Sequence, residues 1–196
     1  MEPLPGKWQN SEEIGHISFT CGYCGEKTGV TVGYTDPDGR GRIFLCGGCN
    51  RPTFIEYKGS IYLQTPSPTL GNIVLHLPQE IDSLYLESRH CTQVEAYTAC
   101  VLVCRKILMH VAVGKGAEPG QNFLDYVIYL TEKGYVPPDG KGWVDHIRKK
   151  GNEANHEIVI MSKEIALELL SFVEMLLKFV YELPARIMPP STGTPS

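Results

Sequence analysis

A chain of 196 residues with 42% hydrophobic content holds one medium domain or two small ones and can bury a core. Its formal net charge of −4 excludes a polycation that coats nucleic acid broadly, while leaving room for a local basic patch. The opening Met1-Glu2-Pro3-Leu4-Pro5-Gly6-Lys7-Trp8 lacks an apolar core of signal-peptide length, and no apolar run is expected to reach the roughly 18–20 residues that span a bilayer. The expectation is therefore a cytoplasmic protein without a membrane partner. In such a reducing compartment its seven cysteines hold metal or stay free rather than pair.

Short β-rich runs alternate with turns up to residue 63: His16–Thr20, Gly29–Tyr34, Gly41–Leu45, Thr53–Tyr57 and Ser60–Leu63. Asp36-Pro37-Asp38-Gly39 and Lys58-Gly59 are turn signals between them. Within this stretch stand Cys21-Gly-Tyr-Cys24 and Cys46-Gly-Gly-Cys49, separated by twenty-one residues. Two-residue spacing lets both thiolates of a pair face one ion, and two such pairs make a four-cysteine tetrahedral zinc site. Gly22, Gly25, Gly47 and Gly48 are expected to let the backbone turn tightly and take up positive φ. The alternative, two disulfides, finds no support because nothing marks the chain as secreted. Residues 1–63 thus read as a small antiparallel zinc ribbon. One structural Zn²⁺ per chain, held by Cys21, Cys24, Cys46 and Cys49, supplies the stability that so small a core lacks. Arg40, Arg42, Arg51 and Lys58, interleaved with Phe44, Phe54, Tyr57 and Tyr62, are either a nucleic-acid surface or a solvated face plus the ribbon's own core.

Residues 64–80, punctuated by Pro66, Pro68, Gly71 and Pro78, read as a linker. Helical periodicity then predicts four segments over residues 81–187. The first, about 82–113, carries Ala96, Ala99, Cys100, Val103, Cys104, Ile107 and Val111 on one stripe. The second covers about 121–133 and the third about 141–156. The fourth starts at the N-cap Ser162 and is expected to end at Pro184. Short connections make an antiparallel four-helix bundle the natural architecture, so the fold class is α+β in two parts. Cys100 and Cys104 read as buried thiols, and Arg105 as a partner for a carboxylate such as Glu174. Residues 188–196, rich in Pro, Ser and Thr, read as a disordered tail.

The third segment concentrates chemically capable residues. Arg148, Asn152 and His156 stand four apart, so on a continuous helix they line one broad face. Arginine suits bidentate phosphate contact, asparagine orients a hydroxyl, and histidine moves a proton near neutral pH. The set fits a metal-independent ribonuclease site with His156 as general acid or base and Arg148 stabilising charge on the phosphorane. Another reading stays open: Lys149, Lys150 and Gly151 form a helix end, and His156 caps it or lies at an interface. Eight helical residues place the Cα atoms of Arg148 and His156 about 12 Å apart along the axis. Joint contact with one phosphate then needs a broken helix or a partner subunit.

Several segments carry a resemblance. They are Arg105-Lys106-Ile107-Leu108-Met109-His110, Gly142-Trp143-Val144-Asp145-His146-Ile147-Arg148, Gly151-Asn152, His156, and the closing Leu176-Leu177 with Tyr181-Glu182-Leu183-Pro184-Ala185. Over about residues 80–186 the chain resembles the domain-of-unknown-function family numbered 4145, itself similar to the HEPN superfamily of helical bundles. The resemblance implies a HEPN-like bundle and an RNA-directed role, either as an endoribonuclease of defence or stress response or as a non-catalytic adaptor binding protein or nucleic acid. It also implies a homodimer, with Arg148 of one subunit approaching His156 of the other. The HEPN signature places four to six residues between Arg and His, whereas this chain has seven between Arg148 and His156. Lys150 to His156 fits the spacing but lacks the guanidinium fork.

Overall fold

The computed structural model describes residues 2–136 and 160–187. The expected third helix, with Arg148, Asn152 and His156, and the expected tail at 188–196 lie outside the described residues. Two compact units share the chain: residues 1–70 with 92–94, and residues 71–91 with 95–196. An antiparallel sheet followed by helices makes the protein α+β in two parts, as expected.

The first unit is a five-stranded meander in the order β1 to β5: β1 Glu12–Thr20, β2 Lys27–Thr35, β3 Gly41–Leu45, β4 Pro52–Lys58 and β5 Ile61–Thr65. All neighbours are antiparallel. β1 and β2 start earlier than their apolar alternation suggests, because Glu12 and Glu13 pair with Gly33 and Val32, and Lys27 with Thr20. Backbone pairing thus carries a strand beyond the residues whose side chains announce it. In the expected turn, the Asp36 carbonyl accepts from Gly39 N–H at 3.0 Å and its carboxylate from Gly41 N–H at 2.9 Å. The core comprises Ile17, Phe19, Phe44 and Ile55 together with Cys21, Cys46 and Cys49. Nearly half of these buried side chains are thiols, so the apolar content alone is meagre for a unit of this size.

In the second unit, α1 spans Gln79–Gln93, α2 Tyr97–Gly114, α3 Phe123–Glu132 and α4 Lys163–Leu177. The single helix expected over 82–113 is therefore two. Glu95 takes φ +57°, and Ala96 N–H donates back to the Cys91 carbonyl at 2.9 Å. This six-to-one bond around a left-handed residue is a Schellman stop, here built without the usual glycine. The periodicity survived the break because the apolar stripe resumes in α2.

Helix α2 packs against both α3 and α4. It buries Cys100, Val101, Cys104, Arg105, Ile107, Leu108, Val111 and Ala112 against such residues as Phe172, Val173, Leu176 and Leu177 of α4 and Val127 and Leu130 of α3. By length and composition alone α2 is apolar enough to cross a membrane, contrary to the expectation that no run would be; 44% of it is buried inside the protein. Cys100 and Cys104 are fully buried, as expected of small hydrophobes. Arg105 is buried too, its guanidinium 4.5 Å from the Phe123 ring centroid.

The Glu174 carboxylate gathers partners along its own helix and from the loop at Asn72. It accepts from Asn72 N–H and Asn72 Nδ2, each at 2.8 Å, and pairs with Lys178 Nζ at 2.6 Å. One helical turn pairs are neighbours on a surface, which is why Lys178 reaches Glu174 first. Two turns on, the buried Glu182 accepts from Leu75 N–H at 3.0 Å and pairs with Arg186 at 2.7 Å. Two carboxylates thus hold residues 72–75 along this helix. Burial pushes the Glu174 carboxyl up, but Lys178 and the Asn72 donors outweigh it and hold the group below its ordinary 4.5. A carboxylate depressed on folding contributes stability above its unfolded value and loses it as pH falls through the folded one. Urea titrations below pH 4.5 should therefore show the helical unit weakening, with Glu174→Gln flattening that acid limb.

The last helix starts as expected: the Ser162 hydroxyl accepts from Ile165 N–H at 3.4 Å. Ser162→Ala should cost about 1 kcal/mol, read as a shifted urea midpoint at constant slope. The helix does not end at Pro184. A π turn over Lys178–Glu182 leads into α5, Leu183–Ile187, with Leu183 N–H donating to the Lys178 carbonyl. Proline in a regular α-helix clashes with the carbonyl four residues back, and a locally widened turn relieves that clash.

Candidate metal centre

Both cysteine pairs occupy hairpin turns at the same end of the antiparallel meander: Cys21 and Cys24 between β1 and β2, Cys46 and Cys49 between β3 and β4. The two turns repeat one pattern. The first cysteine's carbonyl accepts from the N–H four residues on, Gly25 to Cys21 and Asn50 to Cys46, each at 2.9 Å. Its own N–H donates to the carbonyl five residues on, Cys21 to Glu26 at 2.9 Å and Cys46 to Arg51 at 3.0 Å. The residue after each second cysteine takes a left-handed conformation, Gly25 at φ +76° and Asn50 at φ +56°.

Of the four glycines expected to need positive φ, only Gly25 has it. Gly22 matters through close approach instead: a Cβ there would lie 2.5 Å from the Pro66 carbonyl oxygen and 2.6 Å from that of Ser67. Asn50, not Gly47 or Gly48, supplies the left-handed turn of the second knuckle. Its alignment with Gly25, and the tolerance of asparagine for that region, are the signals that identify it in sequence.

This geometry brings all four sulfurs together. They lie within 4.8 Å of one another, with Cys21 and Cys49, and Cys24 and Cys46, each 3.7 Å apart. Thiolates around zinc at 2.3 Å from the ion would stand about 3.8 Å apart at the corners of a tetrahedron. The donor set and its spacing fit such an ion, and four protein sulfurs fill its coordination. Tyr23 N–H points at Cys21 Sγ from 3.4 Å, a contact that a thiolate strengthens. Without an ion, burial pushes the Cys24 thiol up to about 12 and also raises Cys21. Burial works on Cys49 too, but the Arg51 N–H and the neighbouring sulfurs bring that thiol below its ordinary value. A metal binding here displaces protons from thiols that burial otherwise keeps neutral.

The cations of the sheet are engaged locally. Arg40 pairs with Asp38 at 2.9 Å and Lys58 with Glu56 at 3.5 Å. Arg42 stacks 5.1 Å from the Tyr57 centroid and donates to the Ile14 carbonyl; Arg51 stacks 5.8 Å from that of Tyr23 and donates to the Glu2 carbonyl. Phe44 belongs to the core, whereas Phe54 and Tyr62 are exposed.

A sheet whose four clustered cysteines could hold a metal ion, with a separate helical unit built around α2, defines a two-part protein of the α+β class. The chain belongs to the family described as Domain of unknown function (DUF4145), whose profile matches residues 86–189. Neither the curated proteins nor the solved structures compared with it give a match.

Proposed function

We propose that the chain is a zinc-ribbon, HEPN-like protein with an RNA-directed role, in which a structural Zn²⁺ on Cys21, Cys24, Cys46 and Cys49 holds together a recognition module. The observation that carries the first half is the cluster of four sulfurs within 4.8 Å of one another: an ion held by all four has no coordination position left for substrate or water, so its task is to fold the ribbon. Exposed Phe54 and Tyr62, and the Arg51–Tyr23 stack beside the knuckles, supply surfaces on which an unpaired base can stack. The residue types Arg148, Asn152 and His156 support metal-independent RNA cleavage on the helical side. His156 takes or gives the ribose and leaving-group protons, Arg148 stabilises the phosphorane charge, and Asn152 orients the attacking hydroxyl. In this reading the protein is cytoplasmic and acts as a homodimer, which lets Arg148 and His156 converge from two subunits.

Purified protein incubated with single-stranded and structured RNA in EDTA should cut, and His156→Ala and Arg148→Ala should each lose about a hundredfold or more of that rate. Wild type cutting no better than the variants ends the nuclease reading. Binding measured across salt then tests RNA recognition by itself, since phosphate contacts make affinity fall steeply with salt.

A second reading, a non-catalytic adaptor, is favoured by one feature of the helical unit. Met175, Phe179 and Leu183 are exposed and border an open groove of about 390 Å³ beside Asn72 and Lys178, and Ile187 is exposed one turn beyond Leu183. A flat salt response together with capture of a protein partner through this stripe would favour the adaptor.

A further inference from the structure

Residues 2–9 lie against the second cysteine knuckle through a run of hydrogen bonds to three consecutive residues. Leu4 N–H donates to the carbonyl of the ligand Cys49 at 2.9 Å. Asn50 Nδ2 donates to the carbonyls of Leu4 at 2.9 Å and Gly6 at 3.0 Å. Trp8 Nε1–H donates back to the Asn50 carbonyl at 3.0 Å, and Arg51 Nη1 to the Glu2 carbonyl at 2.8 Å. The Trp8 ring packs edge-on to Tyr34, 6.4 Å between centroids, and Tyr34 Oη donates to the Gln9 carbonyl. None of these residues is a metal ligand except Cys49, and it contributes only its backbone.

We propose that this segment is a latch that sets how fast the metal leaves. A four-coordinate site loses its ion stepwise, one thiolate detaching while an outside ligand enters. Cys49 is only 2% exposed, so rotation of its buried side chain alone does not carry the sulfur clear of the ion, and full detachment draws the backbone of Cys49 and Asn50 with it. The strap binds that backbone on both sides of the turn. Asn50 is the keystone: its left-handed φ places Cys49 correctly, while its side chain and carbonyl carry three of the strap's bonds. Any agent that peels residues 2–9 away therefore turns a slowly exchanging ion into a readily exchanging one. The strap's own exposure, with Leu4 to Lys7 on the surface, leaves it open to such an agent.

The inference rests on the zinc reading of the four-cysteine site, and the two fail differently. Absence of bound zinc sinks that reading, whereas the latch is judged by the rate of release from protein that is loaded. The experiment is transfer of zinc from the full chain to an excess of a chromogenic chelator, followed in time. Asn50→Gly keeps the left-handed turn available and removes the two side-chain bonds; Trp8→Phe removes the indole donor without touching the knuckle. Both should load one zinc per chain and release it faster, Asn50→Gly by about tenfold and Trp8→Phe by several-fold, given the ordinary worth of such bonds. The exposed substitution Val32→Thr should leave the rate as in wild type. Unchanged release in both variants overturns the latch. So does acceleration confined to Asn50→Gly, since that effect belongs to the turn and not to the strap. If Asn50→Gly fails to load, Trp8→Phe decides alone.

Discussion

Replacing Cys46 by serine is expected to abolish metal binding and unfold the sheet unit, while the helical signal persists. Cys46 is buried, its sulfur stands 3.7 Å from that of Cys24, and its backbone closes the second knuckle at both ends. Serine there offers a poorer ligand, and the three remaining thiols face one another without an ion. The loss should be large because three of the seven core side chains in this unit are metal ligands. A structural zinc site supplies on the order of 10 kcal/mol of folding free energy, more than so small an apolar core supplies by itself. Elemental analysis should find one zinc per chain in wild type and none in Cys46→Ser. Amide spectra of the variant should lose the dispersed strand resonances and keep the helical ones. Metal-free protein with an intact, rigid sheet would refute the assignment. Strong chelation of wild type should reproduce the variant's spectrum, which separates loss of the ion from damage done by the substitution.

Truncating Phe172 to alanine should cost the helical unit about 3–5 kcal/mol. Phe172 is 1% exposed and lies on the face of α4 that carries Leu169, Val173 and Leu176, against the central α2. Removing a buried ring forfeits its transfer free energy and leaves a cavity that close-packed neighbours fill only in part. That cost is a large fraction of the stability of an ordinary domain, so the urea midpoint should fall markedly at constant slope. Phe179→Ala, on the exposed side of the same helix, should shift the midpoint little. Equal losses at the two positions would mean that the face assignment is wrong.

The contrast between these two experiments follows how legible each unit was. The cysteine spacing announced a metal site because thiolate coordination needs only short loops and four donors, both of which are local properties. The turn at Asp36–Gly39 and the cap at Ser162 were similarly local: a side-chain oxygen meets an N–H three residues on, or a carbonyl is met nearby. The break at Glu95 was not legible. A left-handed residue without glycine is stabilised by bonds that form only once α1 and the start of α2 have taken their directions, and the apolar stripe runs across it undisturbed. Pro184 misled for the opposite reason. Its cost in a regular helix is real, but a π turn upstream, seen only in the folded backbone, removes the clash.

Glu174 is met by Lys178, one turn on, and by two donors from the loop at Asn72. Sequence states which charges exist; only packing decides which of them meet.

By itself, then, the sequence determined the two-part class, which four cysteines stand at metal-ligand spacing, the turn at Asp36–Gly39 and the cap at Ser162, and which face of α4 is apolar. Each follows from interactions between residues a few positions apart. The tertiary structure decided that the four sulfurs come within 4.8 Å of one another, that Asn50 rather than a second glycine makes the second knuckle, and that residues 2–9 are bound against it. These outcomes join residues far apart in the chain, Cys21 to Cys49 over 28 positions and Asn50 to Leu4 over 46, and no short window of sequence contains both ends of such a contact.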